Sequence, residues 1–138
     1  MSDFQPAHPG FEQLIRESFS RQGLMAHLGG EIALIQPGRV DLTTRQREEL
    51  SQQHGFMHGG VVAALLDTAC GYAALSLMPE RAAVLTVEFK INFLAPAIGD
   101  SFRFYGQVVK PGRTLTLAEG TAFAQASEKD EKMIARLS

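Results

Sequence analysis

The chain has 138 residues, which is about one domain at the usual size of roughly 150 residues, and it can fold without disulfides or structural metals. Its 13 Lys and Arg against 15 Asp and Glu give a net charge of −2, which argues against a dedicated binder of nucleic acid or of an anionic membrane. The single cysteine, Cys70, excludes an internal disulfide framework.

The N-terminal part of the chain predicts a helical segment. Met1–Gly10 lacks the basic stretch and apolar core of a secretory signal, so we expect a cytoplasmic protein. Apolar residues recur at helical spacing from Phe11 to Phe19, and Gly23 is expected to end that helix before a short turn. We therefore expect one domain over residues 1–138, with residues 1–28 as its N-terminal helical segment.

The middle of the chain predicts two strands and a long helix. Glu31–Ile35 and Arg39–Thr43 have the pattern of strands, and Arg45–Glu49 that of a loop or short helical turn. An apolar helix is then expected from the Gly59-Gly60 pair to about Leu77. Asp67 interrupts its apolar run, so we interpret it as a buried helix rather than a membrane span.

Beyond this helix the apolar period changes from helical to two. Alternate residues from Leu85 to Phe93 are apolar, which predicts a long strand with one buried face. Three more strands are expected at Phe102–Lys110, Thr114–Ala124 and Met133–Leu137. Consecutive strands of this kind favour an α+β fold in which a curved antiparallel sheet encloses the apolar helix.

The start of the long helix offers a candidate binding site. No Ser, Thr, Asp or Asn precedes Gly59-Gly60, so we expect the first backbone N–H groups to be free of a side-chain cap. Such N–H groups lie at the positive end of the helix dipole and suit an anion. A thioester carbonyl that becomes an oxyanion is one such ligand.

Asp67 is the candidate catalytic residue, because it is the only charged side chain between Gly59 and Pro79. A carboxylate in an apolar enclosure costs several kcal/mol, so its presence needs a reason. A stripe of small residues, Gly60, Ala64, Gly71 and Ala74, shares its helix face and leaves space for a substrate or for close packing. Seven residues place Asp67 about 10 Å along the axis from Gly60, so a site that uses both favours contributions from two subunits.

Other chemistries have weaker support. His54 and His58 stand four residues apart, but the Glu of a zinc-protease helix is missing, and we expect no metal site. Either His could act as a general base, and a structural role in the turn is favoured. Cys70 is interpreted as a small core residue.

The segment His58-Gly59-Gly60, with Gln52 and Gly55 before it and Asp67 in the helix after it, resembles the hot-dog-fold acyl-CoA thioesterases of the phenylacetate-pathway (PaaI) type. The resemblance extends over Ala83–Pro96 and Gly112-Arg113-Thr114, and covers about Gly29 to Ala124. It implies a hot-dog fold, with a long helix wrapped by the sheet, in a dimer that often pairs into a tetramer.

The resemblance also implies roles for residues. The Gly59 amide, with Gly60 and His58 beside it, would polarise the thioester carbonyl, and Asp67 of the partner subunit would activate water or attack directly. Gln52 would orient substrate or water, and Thr86 would help to hold the water. Thr86 alternates with the apolar row that we expect to be buried.

The leading hypothesis is hydrolysis of acyl-CoA or a related thioester, with CoA as part of the substrate and no metal or redox cofactor. Arg113, Lys110 or Lys90 would meet the CoA phosphates. A hot-dog hydratase or dehydratase, using His54 and Asp67, is one alternative. A non-catalytic acyl-CoA sensor is the other. No nucleic-acid or membrane partner is expected.

Overall fold

The computed structural model describes residues 3–138, so Met1 and Ser2 of the expected N-terminal segment lie outside the described residues. The described part contains three α-helices, α1 (Phe11–Ser20), α2 (Gly23–Leu28) and α3 (Gly59–Leu75), and a 3-10 turn at Glu48–Leu50. It also contains six strands, β1 (Glu31–Gln36), β2 (Arg39–Arg45), β3 (Ile91–Phe93), β4 (Ser101–Lys110), β5 (Leu117–Gln125) and β6 (Lys132–Leu137).

The six strands form one sheet in the order β1-β2-β4-β5-β6-β3, and every neighbouring pair is antiparallel. The predicted α+β class with an antiparallel sheet is confirmed. Three register shifts, in β1–β2, β4–β5 and β5–β6, mark bulges or irregularities, and bulges bend and twist a sheet. The sheet curves around α3, which contacts β2, β4, β5 and β6.

Helix α3 lies directly on the middle of the sheet. A Cβ added at Gly106 of β4 would stand 2.5 Å from the backbone carbon of Ala69, so only glycine allows this approach. Leu65, Leu66 and Ala69 have no exposed surface, which confirms the interpretation of a buried helix. In the described part of the chain, no helix is long and apolar enough to cross a membrane.

The N-terminal segment differs from the prediction at Gly23. This residue begins α2 instead of ending the first helix, and Arg21 and Gln22 separate the two helices. Helix α2 forms because Met25 and Leu28, three residues apart, both bury in the core, while Gly29 ends it at a φ of 71°.

The predicted strand from Leu85 to Phe93 is wrong over most of its length, because only Ile91–Phe93 is a strand. The predicted face is wrong too. Leu85 is 90% and Val87 76% exposed, whereas the hydroxyl of Thr86 contacts α3. The physical reason is position: β3 is an edge strand whose one neighbour is β6, and its backbone pairing with β6 extends no further back than Lys90. No strand in the described chain pairs with the residues just before Lys90 or covers their apolar side chains.

Candidate active site

The loop before α3 is built around Gln52. Its side-chain carbonyl accepts hydrogen bonds from the backbone N–H groups of His54 and Phe56, and its backbone N–H donates to the carbonyl of Phe56 at 2.8 Å. The N–H of His58 then donates to the carbonyl of Leu50 at 2.8 Å. These bonds fix where α3 begins, while no hydrogen bond within residues 3–138 uses the amide NH₂ of Gln52.

His58 caps α3, so the prediction of an uncapped helix is wrong. Its Nδ1 accepts the N–H of Gly60 at 2.8 Å, and its backbone carbonyl accepts the N–H groups of Val61 and Val62. The amide of Gly60, predicted to be free for substrate, is therefore occupied. The imidazole nitrogen of His58 takes the place of the Ser or Asp oxygen that caps most helices. A rule based only on Ser, Thr, Asp and Asn does not predict this cap.

Gly59 supplies the amide that stays available at this helix start. Among the described residues its N–H has no hydrogen-bond acceptor, and it lies at the positive end of a 17-residue helix. Gly59 and Gln52 line a cavity of about 270 Å³ together with Val62, Phe93 and Ile134. A Cβ added at Gly59 would stand 3.0 Å from the Phe93 ring, so the glycine keeps this approach open.

Asp67 lies near the middle of α3 and is held from outside the helix. The hydroxyl of Thr86 donates to its Oδ1 at 2.7 Å, while no other ion pair or hydrogen bond to this carboxylate occurs in the described chain. The side chain is half-buried rather than enclosed. Oδ2 is consequently left for water or substrate, in a helix with no other charged group.

The two candidate groups lie on one helix but far apart. Gly59 and Asp67 are eight residues from each other, which corresponds to about 12 Å along the axis. A carbonyl bound at the Gly59 amide is therefore out of reach of the carboxylate of its own chain. The structure brings Gln52 together with Gly59, and Thr86 with Asp67, as two separate half-sites.

None of the candidate phosphate-binding residues lines the cavity beside Gly59. Arg113 is an exposed residue of the hairpin between β4 and β5, and it makes no ion pair within the described part of the chain. Lys110 and Gly112 of this hairpin line a surface cavity of about 430 Å³ with Leu85 and Val87. Lys90 uses its backbone to pair with Ser138.

Cys70 is buried against the sheet, as predicted. Burial, and secondly the charge of Asp67, raise the pKa of its thiol to about 12. A thiol in this state is neutral at ordinary pH and is not a nucleophile. No group of three His, Cys, Asp or Glu that could hold a metal ion occurs in residues 3–138.

Comparison with known proteins places the chain in a family. The profile of the thioesterase superfamily matches residues 54–130, which is more than half of the sequence. The chain therefore belongs to the thioesterase superfamily, and its fold is the hot-dog fold that the sequence motif implied.

Individual relatives agree with this assignment. The crystal structure of a thioesterase family protein from Silicibacter pomeroyi is 55% identical, with a TM-score of 0.91 and 93% of each chain covered. Human acyl-coenzyme A thioesterase 13 is 33% identical over 90 residues, which cover 62% of this chain and 63% of the human protein. The PaaI protein of E. coli shares the fold at 22% identity, with a TM-score of 0.82 over 92% of this chain and 88% of PaaI.

Proposed function

We propose that this protein hydrolyses acyl-CoA thioesters to the free acid and CoA, as a thioesterase of the phenylacetate-pathway type. The observation that carries the proposal is the Asp67 carboxylate, oriented by the Thr86 hydroxyl at 2.7 Å and left with one oxygen free. The similarity to human acyl-coenzyme A thioesterase 13 supports acyl-CoA as the substrate class. No cofactor is needed, because CoA is part of the substrate.

The Gly59 amide is the group that polarises the thioester. Its N–H donates to the carbonyl oxygen, and the helix dipole stabilises the negative charge that develops on that oxygen. Gln52 lines the same cavity, and its unused NH₂ group orients the substrate or the attacking water. His58 and Gly60 contribute by fixing the helix start, since their own bond holds the Gly59 amide in place.

Asp67 of the partner subunit acts on the carbonyl carbon. As a general base it takes a proton from water, whose oxygen bonds to that carbon, and the C–S bond then breaks to release the thiol. In direct attack the carboxylate bonds to that carbon, and the C–S bond breaks to expel the CoA thiolate and leave an anhydride. Water then cleaves the anhydride to the free acid and the regenerated carboxylate. Thr86 holds the carboxylate in either case.

A second copy of the chain completes the site by pairing along the open edge. The backbone of residues 83–89 makes no hydrogen bond to another strand in the described chain, and its apolar side chains are exposed. An unpaired edge of this kind is a template for another strand. Antiparallel pairing of two such segments joins the two sheets and brings the half-sites of two chains together, in a dimer that can pair again into a tetramer.

The two alternative functions, a hydratase and an acyl-CoA sensor, predict different results in an activity assay. A hydratase would use His54 with Asp67, which share no hydrogen bond in residues 3–138, so it too would take its two groups from two subunits. A sensor would bind acyl-CoA without turnover. Purified protein is therefore assayed for thiol release from acyl-CoA, for hydration of enoyl-CoA and for binding of both. Thiol release alone supports the proposal, hydration replaces it with the first alternative, and binding without turnover replaces it with the second.

A further inference from the structure

A second cavity lies on the far side of Asp67 from the helix start. It measures about 450 Å³, is open to solvent on one side, and is lined by α1, α3, Arg21 and residues 80–84. Leu14, Leu75 and Val84 supply apolar walls and Ser18, Thr68 and Tyr72 supply neutral polar ones, while Arg21, Glu80 and Arg81 add charged groups to the lining. The size falls within the usual range for pockets that hold small organic ligands.

Gly71 connects this cavity with the carboxylate. It lines the cavity and follows Asp67 by four residues, so the two share one helix face. A Cβ added at Gly71 would meet its nearest neighbour, Cγ1 of Val84, at 3.8 Å, which is ordinary contact. Glycine is therefore not required here by packing, and its missing side chain leaves the space beside Asp67 open.

The polar wall contains a hydrogen-bonded pair of hydroxyl groups, Ser18 and Tyr72, with one hydroxyl proton left without an acceptor. The hydroxyls of Ser18 and Tyr72 lie 3.0 Å apart, and Nε2 of Gln22 donates to the Tyr72 hydroxyl at 3.3 Å. Two hydroxyls carry two protons, and the bond between them uses one. Whichever hydroxyl donates in that bond, the proton of the other has no acceptor among the described residues. Tyr72 is only 8% exposed and Ser18 is half-buried, and both line the cavity, so this proton points to a partner within it in either arrangement.

We propose that the α1–α3 cavity takes the acyl group, and that the Ser18–Tyr72 pair selects acyl chains with a hydrogen-bond acceptor, such as a hydroxyl oxygen, at their far end. This inference rests on the proposed thioesterase function and adds the substrate class. Tyr72 lies five residues beyond Asp67, which is about 7.5 Å along the helix axis and about 140° around it. A short acyl chain that starts beside Asp67 would therefore reach the pair by passing over Gly71. A long aliphatic chain would bury the spare proton without a partner.

Kinetics on matched substrates test the inference. For a short straight-chain acyl-CoA and its ω-hydroxy counterpart of equal length, kcat/KM is measured on wild type, Ser18→Ala, Tyr72→Phe and the double variant. We expect wild type to favour the hydroxylated substrate by about fivefold to tenfold, the effect of one net hydrogen bond. Each single variant keeps one hydroxyl with an unused proton, so only the double variant Ser18→Ala/Tyr72→Phe should lose that preference completely. Ser20→Ala, on the same helix but exposed and bonded to the carbonyl of Glu17, should keep it.

A second variant tests whether the acyl group lies in the α1–α3 cavity, independently of the Ser18–Tyr72 pair. Gly71→Leu places a side chain in the cavity and should lower the ratio of kcat/KM for the longer acyl-CoA over acetyl-CoA by at least about tenfold. Hydrolysis by wild type without the preference, or a ratio unchanged in Gly71→Leu, would overturn the inference and leave the thioesterase function standing. Absence of thiol release from every acyl-CoA would instead overturn the proposed function, and this inference with it.

Discussion

The Thr86 hydroxyl lies 2.7 Å from Oδ1 of Asp67 and connects an extended edge segment to the central helix. The hydrogen bond fixes one carboxylate oxygen and leaves the other open. It also means that any partner chain that pairs with this segment lies beside the carboxylate, so assembly and chemistry are expected to depend on the same few residues.

Loss of the Thr86 hydroxyl should impair turnover more than binding. Thr86→Val keeps the shape of the side chain and removes its hydrogen bond to a charged group, a contribution of roughly 1.5–3 kcal/mol, so kcat should fall about tenfold or more while KM changes little. Thr86→Ser keeps the hydroxyl and should restore most of the rate. Steady-state kinetics on one acyl-CoA provide the comparison, and equal rates for the Val and Ser variants would argue against this role.

Pairing of the open edge should depend on the backbone of Val87. The N–H of Lys90 donates to the carbonyl of Ser138, toward β6, and N–H directions alternate along an extended strand, so the N–H of Val87 is expected to face the open edge. Val87→Pro removes that donor and should give a monomer without activity. Sedimentation velocity measures the change.

Glu88→Pro is the matched control for this experiment. By the same alternation its N–H faces away from the open edge, so the variant should remain a dimer. A monomeric wild type, or a dimer that withstands Val87→Pro, would contradict edge pairing.

A shared site predicts rescue between two inactive variants. In a mixed dimer of Asp67→Asn and Gly59→Val subunits, one site carries both changes and the other carries neither. Random mixing in equal amounts should restore about one quarter of the wild-type activity, because half of the dimers are mixed and each has one intact site of two. Mixed samples no more active than their separate components would place both residues of a site in one chain.

Cys70 should make stability depend on pH at the alkaline end. Folding raises the pKa of its thiol to about 12, so the folded chain keeps the proton that the unfolded chain loses near pH 9. The contribution of Cys70 to the free energy of unfolding is complete below pH 9, and it decreases by about 1.4 kcal/mol per pH unit as the pH rises toward 12. Urea unfolding of wild type and Cys70→Ala at several pH values should show this slope in the difference between them. An identical pH dependence in the two proteins would contradict it.

Most helices and strands are predicted from the sequence because the spacing of apolar residues indicates which side chains the chain buries against itself. The positions of β1, β2, β4, β6 and α3 agree with the apolar pattern to within a few residues. The segment before β3 differs from its prediction because the structure leaves its apolar face without a cover from the same chain. The alternation of Leu85 and Val87 with polar residues predicts that one face of the segment is buried. The pattern does not distinguish burial against the same chain from burial against a second chain.

The same error concealed the contact between Thr86 and Asp67. Alternation correctly puts Thr86 on the face opposite the apolar row, but it is Thr86, and not that row, that faces the helix. The Ser18–Tyr72 pair was also beyond the sequence, because these residues are 54 positions apart and only the packing of α1 on α3 brings them together. The signal for the helix cap is present in the sequence, because His58 directly precedes Gly59 and its imidazole nitrogen can accept a backbone N–H.

The most direct test of the central claim is thiol release from a panel of acyl-CoAs by wild type and Asp67→Asn, with acyl-CoA binding measured in parallel. We expect wild type to turn over, and the variant to fold and bind normally with a rate lower by about a hundredfold or more. An Asp67→Asn protein that hydrolyses acyl-CoA at the wild-type rate would contradict the account.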